Sequence, residues 1–253
     1  MEPANVALLE QAIVRHCSPT LAGLKPAGLF TFPGRFSPVC ERLQGEAECW
    51  AARERFLRVV ARCREELAGT GVELRVLVWR ACGALVYVYR PRALAAYLED
   101  VRARIPLGRM GYPARDTEAA IGMLAGRIAE AGPRGTRAHR PVMRAEGREL
   151  SQGRVPPQGR GPEGAERACP CDGERCRAEF PHEMGYFLGY PYADVAGFIR
   201  QHGKDYLAKG PWKVYEDLPG ALRTFERYRR CTAAFDHAYR RCGDLHGLAV
   251  RAR

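Results

Sequence analysis

The chain has 253 residues, of which 46% are hydrophobic, and a formal net charge of +11. This length and hydrophobic content support a folded core and exclude a wholly disordered chain. No apolar run approaches the roughly 20 residues that cross a bilayer, and the N-terminus lacks the basic start and apolar stretch of a signal peptide. We therefore expect a cytoplasmic protein without a membrane partner.

The basic excess is almost entirely arginine, since lysine occurs only at positions 25, 204, 209 and 213. A GC-rich genome overproduces Arg, Ala and Gly, so compositional bias explains the charge better than a dedicated nucleic-acid surface. The ten cysteines are scattered through a chain without an export signal, which argues against a disulfide scaffold. The partner stays unknown: nucleic acid is not expected, although the charge leaves it open.

Two helices are predicted in the first part of the chain. An amphipathic pattern predicts a helix over residues 5–16, which we expect to end at His16-Cys17-Ser18-Pro19. A longer helix is predicted from about Val39 to Leu67, where two glycines close it. Between the two, the run Leu29-Phe30-Thr31-Phe32 lies among Gly and Pro residues and is a candidate strand.

A β-hairpin follows the second helix. Its first strand is indicated by apolar residues that alternate with other side chains, namely Val72, Leu74, Val76 and Val78. Its second strand, Leu85-Val86-Tyr87-Val88-Tyr89, is apolar throughout, which is typical of a central strand. The break at Arg80-Ala81-Cys82-Gly83 supplies the turn. We expect this hairpin to form the centre of the core.

Four further elements are predicted downstream. Pro91 opens a helix that continues through Arg104, and another helix follows Gly111-Tyr112-Pro113 and ends near Gly132. Residues 212–215 are predicted to form a short strand, and residues 219–242 the closing helix.

The tripeptide Gly-Tyr-Pro occurs twice, at 111–113 and again at 189–191. In each case an aspartate stands three residues after the proline, at Asp116 and Asp194. An acid facing a helix N-terminus explains the repeat without a duplication.

The composition changes abruptly at residue 132. Residues 132–178 are rich in Gly, Pro and Arg and contain no Phe, Tyr or Trp, which predicts a disordered insert. We expect residues 1–131 and 179–253 to pack as a single domain interrupted by this insert. The predicted fold is α/β or α+β: a small mixed sheet with a central β-hairpin, joined by Val214 and Phe30 and covered by helices.

Three segments carry a resemblance to a known family. They are His16 to Lys25, the run from Phe180 to Ile199, and Gly210-Pro211-Trp212-Lys213-Val214-Tyr215 with the aromatic-rich helix after it. These segments resemble the bacterial proteins known as domain of unknown function 3793, found mostly in anaerobes. The resemblance skips the Arg-rich insert, where a shorter linker is expected. It implies no established activity.

The first candidate site is the His16-Cys17 pair. A thiolate near a helix end or an imidazolium can be nucleophilic, and Thr20 and Lys25 can add hydrogen-bond donors. In the structural alternative, His16 caps a helix C-terminus and Cys17 is a small buried hydrophobe. We favour this alternative unless the fold brings His16 and Cys17 next to His182.

His182-Glu183 is the second candidate. Adjacent residues of a helix point about 100° apart, so neither side chain can simply orient the other as in a catalytic dyad. Pro181 at the start of a helix would place Glu183 at the favourable N-terminal end without any chemistry. A functional role requires His16, Cys17 and His182 to converge, in which case the pKa of Cys17 should be lowered.

The third candidate is the cluster Cys169, Cys171 and Cys176, whose thiolates could bind zinc or another metal, with Cys17 or His182 as a fourth ligand.

The last candidate is a helix-turn-helix, because residues 181–202 match the spacing of DNA-binding helix pairs. The acidic Asp194, however, would lie at the end of the second helix that should contact the DNA phosphates, which is unfavourable. We therefore expect a small-molecule, thiol or metal-linked binding site. The alternatives are a scaffolding or partner-binding protein without catalysis and, third, a nucleic-acid binder.

Overall fold

The computed structural model describes residues 2–36, 46–80, 83–113, 115–131 and 181–250. The N-terminal part contains helix α1 (Glu2–Leu21), strand β1 (Ala27–Pro33), helix α2 (Glu46–Glu66) and the hairpin of β2 (Glu73–Arg80) and β3 (Gly83–Tyr89). Three helices follow: α3 (Pro91–Glu99), α4 (Val101–Arg109) and α5 (Thr117–Glu130). The predicted insert, residues 132–178, lies outside the described residues.

The C-terminal part begins with a helical corner of α6 (Met184–Phe187) and α7 (Tyr192–Arg200). A short hairpin of β4 (Ala208–Lys209) and β5 (Lys213–Val214) leads to the long helix α8 (Leu218–Cys242) and to α9 (Leu245–Leu248). Among the helices of the described residues, none is both long and apolar enough to cross a bilayer.

The main sheet has three strands in the order β1-β3-β2, so β3 is central, as its apolar sequence predicted. Phe30 pairs with Val86 and belongs to this sheet as expected. The fold is α+β, and both pairings of the sheet are antiparallel rather than mixed. Val214 pairs instead with Ala208 in the separate β4–β5 hairpin, so its predicted place in the main sheet is wrong.

The sheet separates two cores. We call the side packed with α1, α2 and α9 the first core; it contains Val86 and Val88. We call the side packed with α3, α5 and α6 the second core; it contains Leu85, Tyr87 and Tyr89. All seven residues of β3 are buried, because both faces of the strand are covered.

A bulge in β2 alters its predicted alternation. The register shifts between Val76 and Val78, so Val76 pairs with Val86 and Val78 with Leu85. As a result Val78 joins the second core, while Leu74 lies in the first. The bulge therefore places Val78 on the face opposite Leu74, although the two residues are four positions apart.

Two helix boundaries also differ from the prediction. The helix predicted from Pro91 to Arg104 breaks at Asp100, whose side chain accepts a hydrogen bond from Arg102 N and starts α4. The first helix does not end before Pro19 but continues to Leu21. The reason for this extension is found at the C-terminal end of α1.

Candidate functional site

The C-terminal end of α1 is stabilised from outside the helix. The buried Arg90 guanidinium donates to Thr20 O at 2.7 Å and also to Leu21 O, two carbonyls at the end of the helix. It also donates to Val250 O at 2.7 Å. A cation at this position satisfies carbonyls without helical partners and opposes the negative end of the helix dipole. The last turn therefore forms despite Pro19.

This last turn holds Cys17 and Thr20 against the edge strand β1. Both side chains face Gly28, where a Cβ atom would lie 2.7 Å from Cys17 Sγ and 3.3 Å from Thr20 Oγ1. Only glycine permits this close approach without displacing the thiol. Thr20 is fully buried, and its Oγ1 has no hydrogen-bond partner among the described residues.

Lys25 lies in the bend between α1 and β1 and faces two tyrosines. Its Nζ atom is 5.3 Å from the ring centroid of Tyr190 and 6.0 Å from that of Tyr228. No carboxylate of the described residues forms an ion pair with this ammonium. We call Cys17, Thr20, Lys25, Tyr190 and Tyr228 the Lys25 corner.

The turn between α6 and α7 positions Tyr190. Gly189 has a φ of +67°, and a Cβ atom there would lie 2.2 Å from Pro26 Cγ. The turn therefore rests directly on the residue after Lys25. Tyr97 OH donates to the carbonyl of Tyr190 and fixes the backbone from the side of α3.

Trp212 connects the corner to the C-terminal hairpin. Its ring centroid lies 5.3 Å from that of Tyr190 and 6.3 Å from that of Tyr228. Its indole Nε1 donates to Asp194 Oδ2 at 2.7 Å, and Asp194 Oδ1 accepts from Tyr215 N at 2.7 Å. Asp194 therefore joins α7 to the hairpin, unlike Asp116, which caps α5 by accepting from Ala119 N.

Burial controls the electrostatics of the Lys25 corner. It raises the pKa of the Cys17 thiol to about 12, although the nearby Lys25 ammonium acts in the opposite direction. The predicted lowering of the Cys17 pKa is therefore wrong, because desolvation exceeds the attraction of one cation. Burial also lowers the pKa of Lys25. The corner thus holds a neutral thiol beside an amine that is costly to charge.

His16 does not take part in this corner. Its side chain is largely exposed, and its ring stacks on that of Phe30 with 5.3 Å between the ring centroids. Partial burial against Phe30, and to a smaller extent the charge of Arg15, lowers the pKa of His16. It does not cap the helix, because α1 continues for five residues beyond it.

His182 and Glu183 have separate surroundings. The His182 ring lies 5.3 Å from Phe198 and 6.1 Å from His202. The segment containing it leads into α6 on the second-core side, whereas His16 belongs to α1 on the first-core side. The predicted convergence of His16, Cys17 and His182 is therefore wrong.

Glu183 has a structural contact that the sequence did not reveal. Its buried carboxylate accepts from Arg127 Nη1 at 2.7 Å and from Tyr112 OH at 3.0 Å. These contacts join the segment before α6 to α5 and to the loop before it.

A comparison with protein families matches residues 13–134 and 171–249 to the family described as protein of unknown function (DUF3793). The chain belongs to the DUF3793 family. No match was found among curated proteins or among solved structures. All five residues of the Lys25 corner lie within the matched parts of this DUF3793 chain.

Two further candidates of the DUF3793 chain are the cysteine cluster and the helix-turn-helix. Cys169, Cys171 and Cys176 lie outside the described residues, and the described residues contain no group of three or more side chains suited to hold a metal. In the predicted helix-turn-helix, α6 has only four residues and Asp194 is buried against the β4–β5 hairpin. This geometry counts against insertion of α7 into a DNA groove.

Proposed function

We propose that the protein binds a small anionic molecule at the Lys25 corner. The observation that carries this proposal is the half-buried Lys25 ammonium, which has two tyrosine rings but no carboxylate beside it among the described residues. A charge held in this way is unfavourable until an opposite charge arrives. Perturbed groups without a structural partner are candidates for binding sites.

The position of the corner supports the proposal. Lys25, Tyr190 and Tyr228 come from three distant segments, which are the segments that carry the family resemblance. Tyrosine rings contribute apolar faces for the body of a ligand, and the ammonium supplies the one charge that fixes its orientation. A carboxylate or a phosphate monoester of small size has this chemistry.

The roles of the other corner residues follow from their burial. Thr20 is completely enclosed beside Gly28, and its hydroxyl has no hydrogen-bond partner among the described residues, so it cannot reach a ligand in this conformation. Cys17 stays protonated near neutral pH and acts as a packing group against Gly28, not as a nucleophile.

The four lysines of the chain make the proposal testable by NMR. In protein labelled with ¹³C-lysine, the four side-chain ε signals can be assigned with one variant each, and Lys25→Met removes the signal of interest. We expect the Lys25 signal to titrate below the pH of about 10.4 at which an unperturbed lysine titrates, because burial lowers its pKa.

Addition of acetate and of inorganic phosphate then tests the binding itself. We expect one of these probes to shift the Lys25 signal in a saturable manner and to raise its pKa, since a bound anion favours the ammonium. Lys209→Met should leave this response unchanged. A Lys25 signal that titrates like an unperturbed lysine and responds to neither anion would contradict the proposal and favour the scaffolding alternative.

A further inference from the structure

Helix α8 carries an ordered arrangement of charge that composition does not explain. It contains six exposed arginines and two carboxylates, the exposed Glu226 and the half-buried Asp236. Both carboxylates are occupied on the helix itself: Glu226 binds Arg229 at 2.6 Å, and Asp236 binds Arg240 at 2.9 Å. The other four arginines of α8 form no ion pair with the described residues.

These four arginines lie in one line. We call them the α8 stripe: Arg223, Arg227, Arg230 and Arg241. At about 100° per residue, all four point within roughly 40° of one direction, together with the exposed Ala234 and His237. The paired Arg229 and Arg240 lie about 100° away around the helix. The two arginines that form ion pairs and the four that form none with the described residues therefore lie on different sides of the exposed face.

The opposite side of α8 is used for packing. Phe235 and Tyr239 pack against the first core, and Phe225 and Tyr228 pack against Trp212 and its neighbours. The helix therefore has no free apolar face of the kind that inserts into a membrane surface. Apart from Leu222, which is 51% exposed, the large exposed side chains of α8 are charged or polar.

We propose that the α8 stripe binds the phosphate backbone of nucleic acid without reading its bases. From Arg223 to Arg241 the stripe extends about 27 Å, since the rise is about 1.5 Å per residue. This length spans about eight phosphates of one strand of a duplex. The stripe contains no Asn or Gln that would read adenine, and guanidinium groups contact phosphates in bidentate fashion. This inference is independent of the Lys25 corner.

The salt dependence of binding gives a quantitative test. For the full-length protein and a labelled 20-base-pair duplex of arbitrary sequence, fluorescence anisotropy measures the association constant at several salt concentrations. Four phosphate contacts predict a slope of log K against log salt about 3 to 4 units more negative than that of a protein lacking the stripe. Duplexes of different sequence should bind with equal affinity.

Two double variants form a matched pair. R227Q/R241Q removes two charges from the stripe, whereas R229Q/R240Q removes two charges from the paired arginines of the same helix. We expect the first to make the slope less negative by about 2 and the second to change it much less. Both variants retain the Arg-rich residues 132–178, so that segment contributes equally to each. Circular dichroism checks that α8 remains folded.

Three outcomes would overturn the proposal. Equal losses in the two double variants would show that only the net charge matters. A wild-type protein that fails to bind the duplex at low salt would remove the interaction altogether. Binding to phosphatidylserine vesicles but not to the duplex, with the loss confined to R227Q/R241Q, would assign the stripe to a membrane surface instead.

Discussion

The two faces of β3 differ in how they hold the molecule together. On the first-core side, Val86 and Val88 pack among aliphatic, aromatic and thiol side chains of α1 and α2. On the second-core side, Tyr87 OH donates to Phe187 O at 2.5 Å, across 100 residues of sequence. Residues next to each other in one strand thus serve an apolar interface and an interface with buried hydrogen bonds.

Both cores contain helices close to β3 in sequence, α1 and α2 in the first and α3 to α5 in the second. The buried hydrogen bonds on the second-core side involve a segment that is distant in sequence. The α6 segment arrives after residues 132–180 and docks on the second core through Tyr87, Tyr97 and Glu183. Apolar contacts tolerate several docking positions, whereas buried hydrogen bonds favour a single one. We infer that the polar contacts specify how the C-terminal part docks.

The largest effect is expected on the apolar face. Val86→Ala or Val88→Ala should reduce the free energy of unfolding by about 2 to 4 kcal/mol, because each removes fully buried methyl groups and leaves a cavity. Urea denaturation measures the change. Val101→Ala is the control, since Val101 is 52% exposed on α4, and it should have little effect. Unchanged stability in both β3 variants would show that the strand is not the centre of the core.

A smaller effect is expected on the polar face. Glu183→Gln keeps the shape of the side chain but removes the charge that binds Arg127 and accepts from Tyr112. We expect a loss of about 1 to 3 kcal/mol, less than for a fully buried pair because the Arg127 side chain is 33% exposed. Urea denaturation again measures it.

The control for this prediction is Glu226→Gln. That carboxylate binds Arg229 on the surface of α8, where both side chains are more than half exposed. Exposed pairs contribute little, so the stability should not change measurably. If Glu183→Gln is equally silent, the polar contacts do not specify docking, and the comparison of the two faces loses its basis.

The sequence predicted local elements better than long-range contacts. The apolar run at Leu85–Tyr89 identified the central strand, since a strand covered on both faces has no polar positions. The length of α1 was underestimated because the group that stabilises its last turn, Arg90, lies about 70 residues away. The bulge at Val76 and Val78 left no recognisable signal in the pattern of β2.

The candidate site was predicted in part. Cys17, Thr20 and Lys25 were identified from one segment, but Tyr190 and Tyr228 were missed as their partners. Both tyrosines lie in segments with the family resemblance, and aromatic density there was the available signal. Histidine and cysteine drew attention to His16 and His182 instead, whereas the fold joins the segments through a lysine and aromatic rings.

The last prediction concerns the buried thiols of the first core and the dependence of stability on pH. Burial raises the pKa of the Cys17 and Cys63 thiols of the first core to about 12. In the unfolded chain such thiols ionise near pH 8.5. Their contribution to the free energy of unfolding is therefore fully present below about pH 8.5. It is lost as the pH rises toward about 12, because the unfolded chain releases these protons first. We expect each thiol to account for a loss of about 1 to 2 kcal/mol between pH 8 and pH 10.

Cys17→Ala tests this directly, because it removes one thiol from the first core without altering the tyrosines of the second. Urea denaturation at a series of pH values from 8 to 10 should show a shallower decline for Cys17→Ala than for the wild type. Cys242→Ala serves as the control, since the Cys242 thiol is exposed. Identical slopes in all three proteins would mean that Cys17 ionises as readily in the folded state as in the unfolded state. The Lys25 corner would then be open to solvent, and its ammonium would need no anion to offset burial.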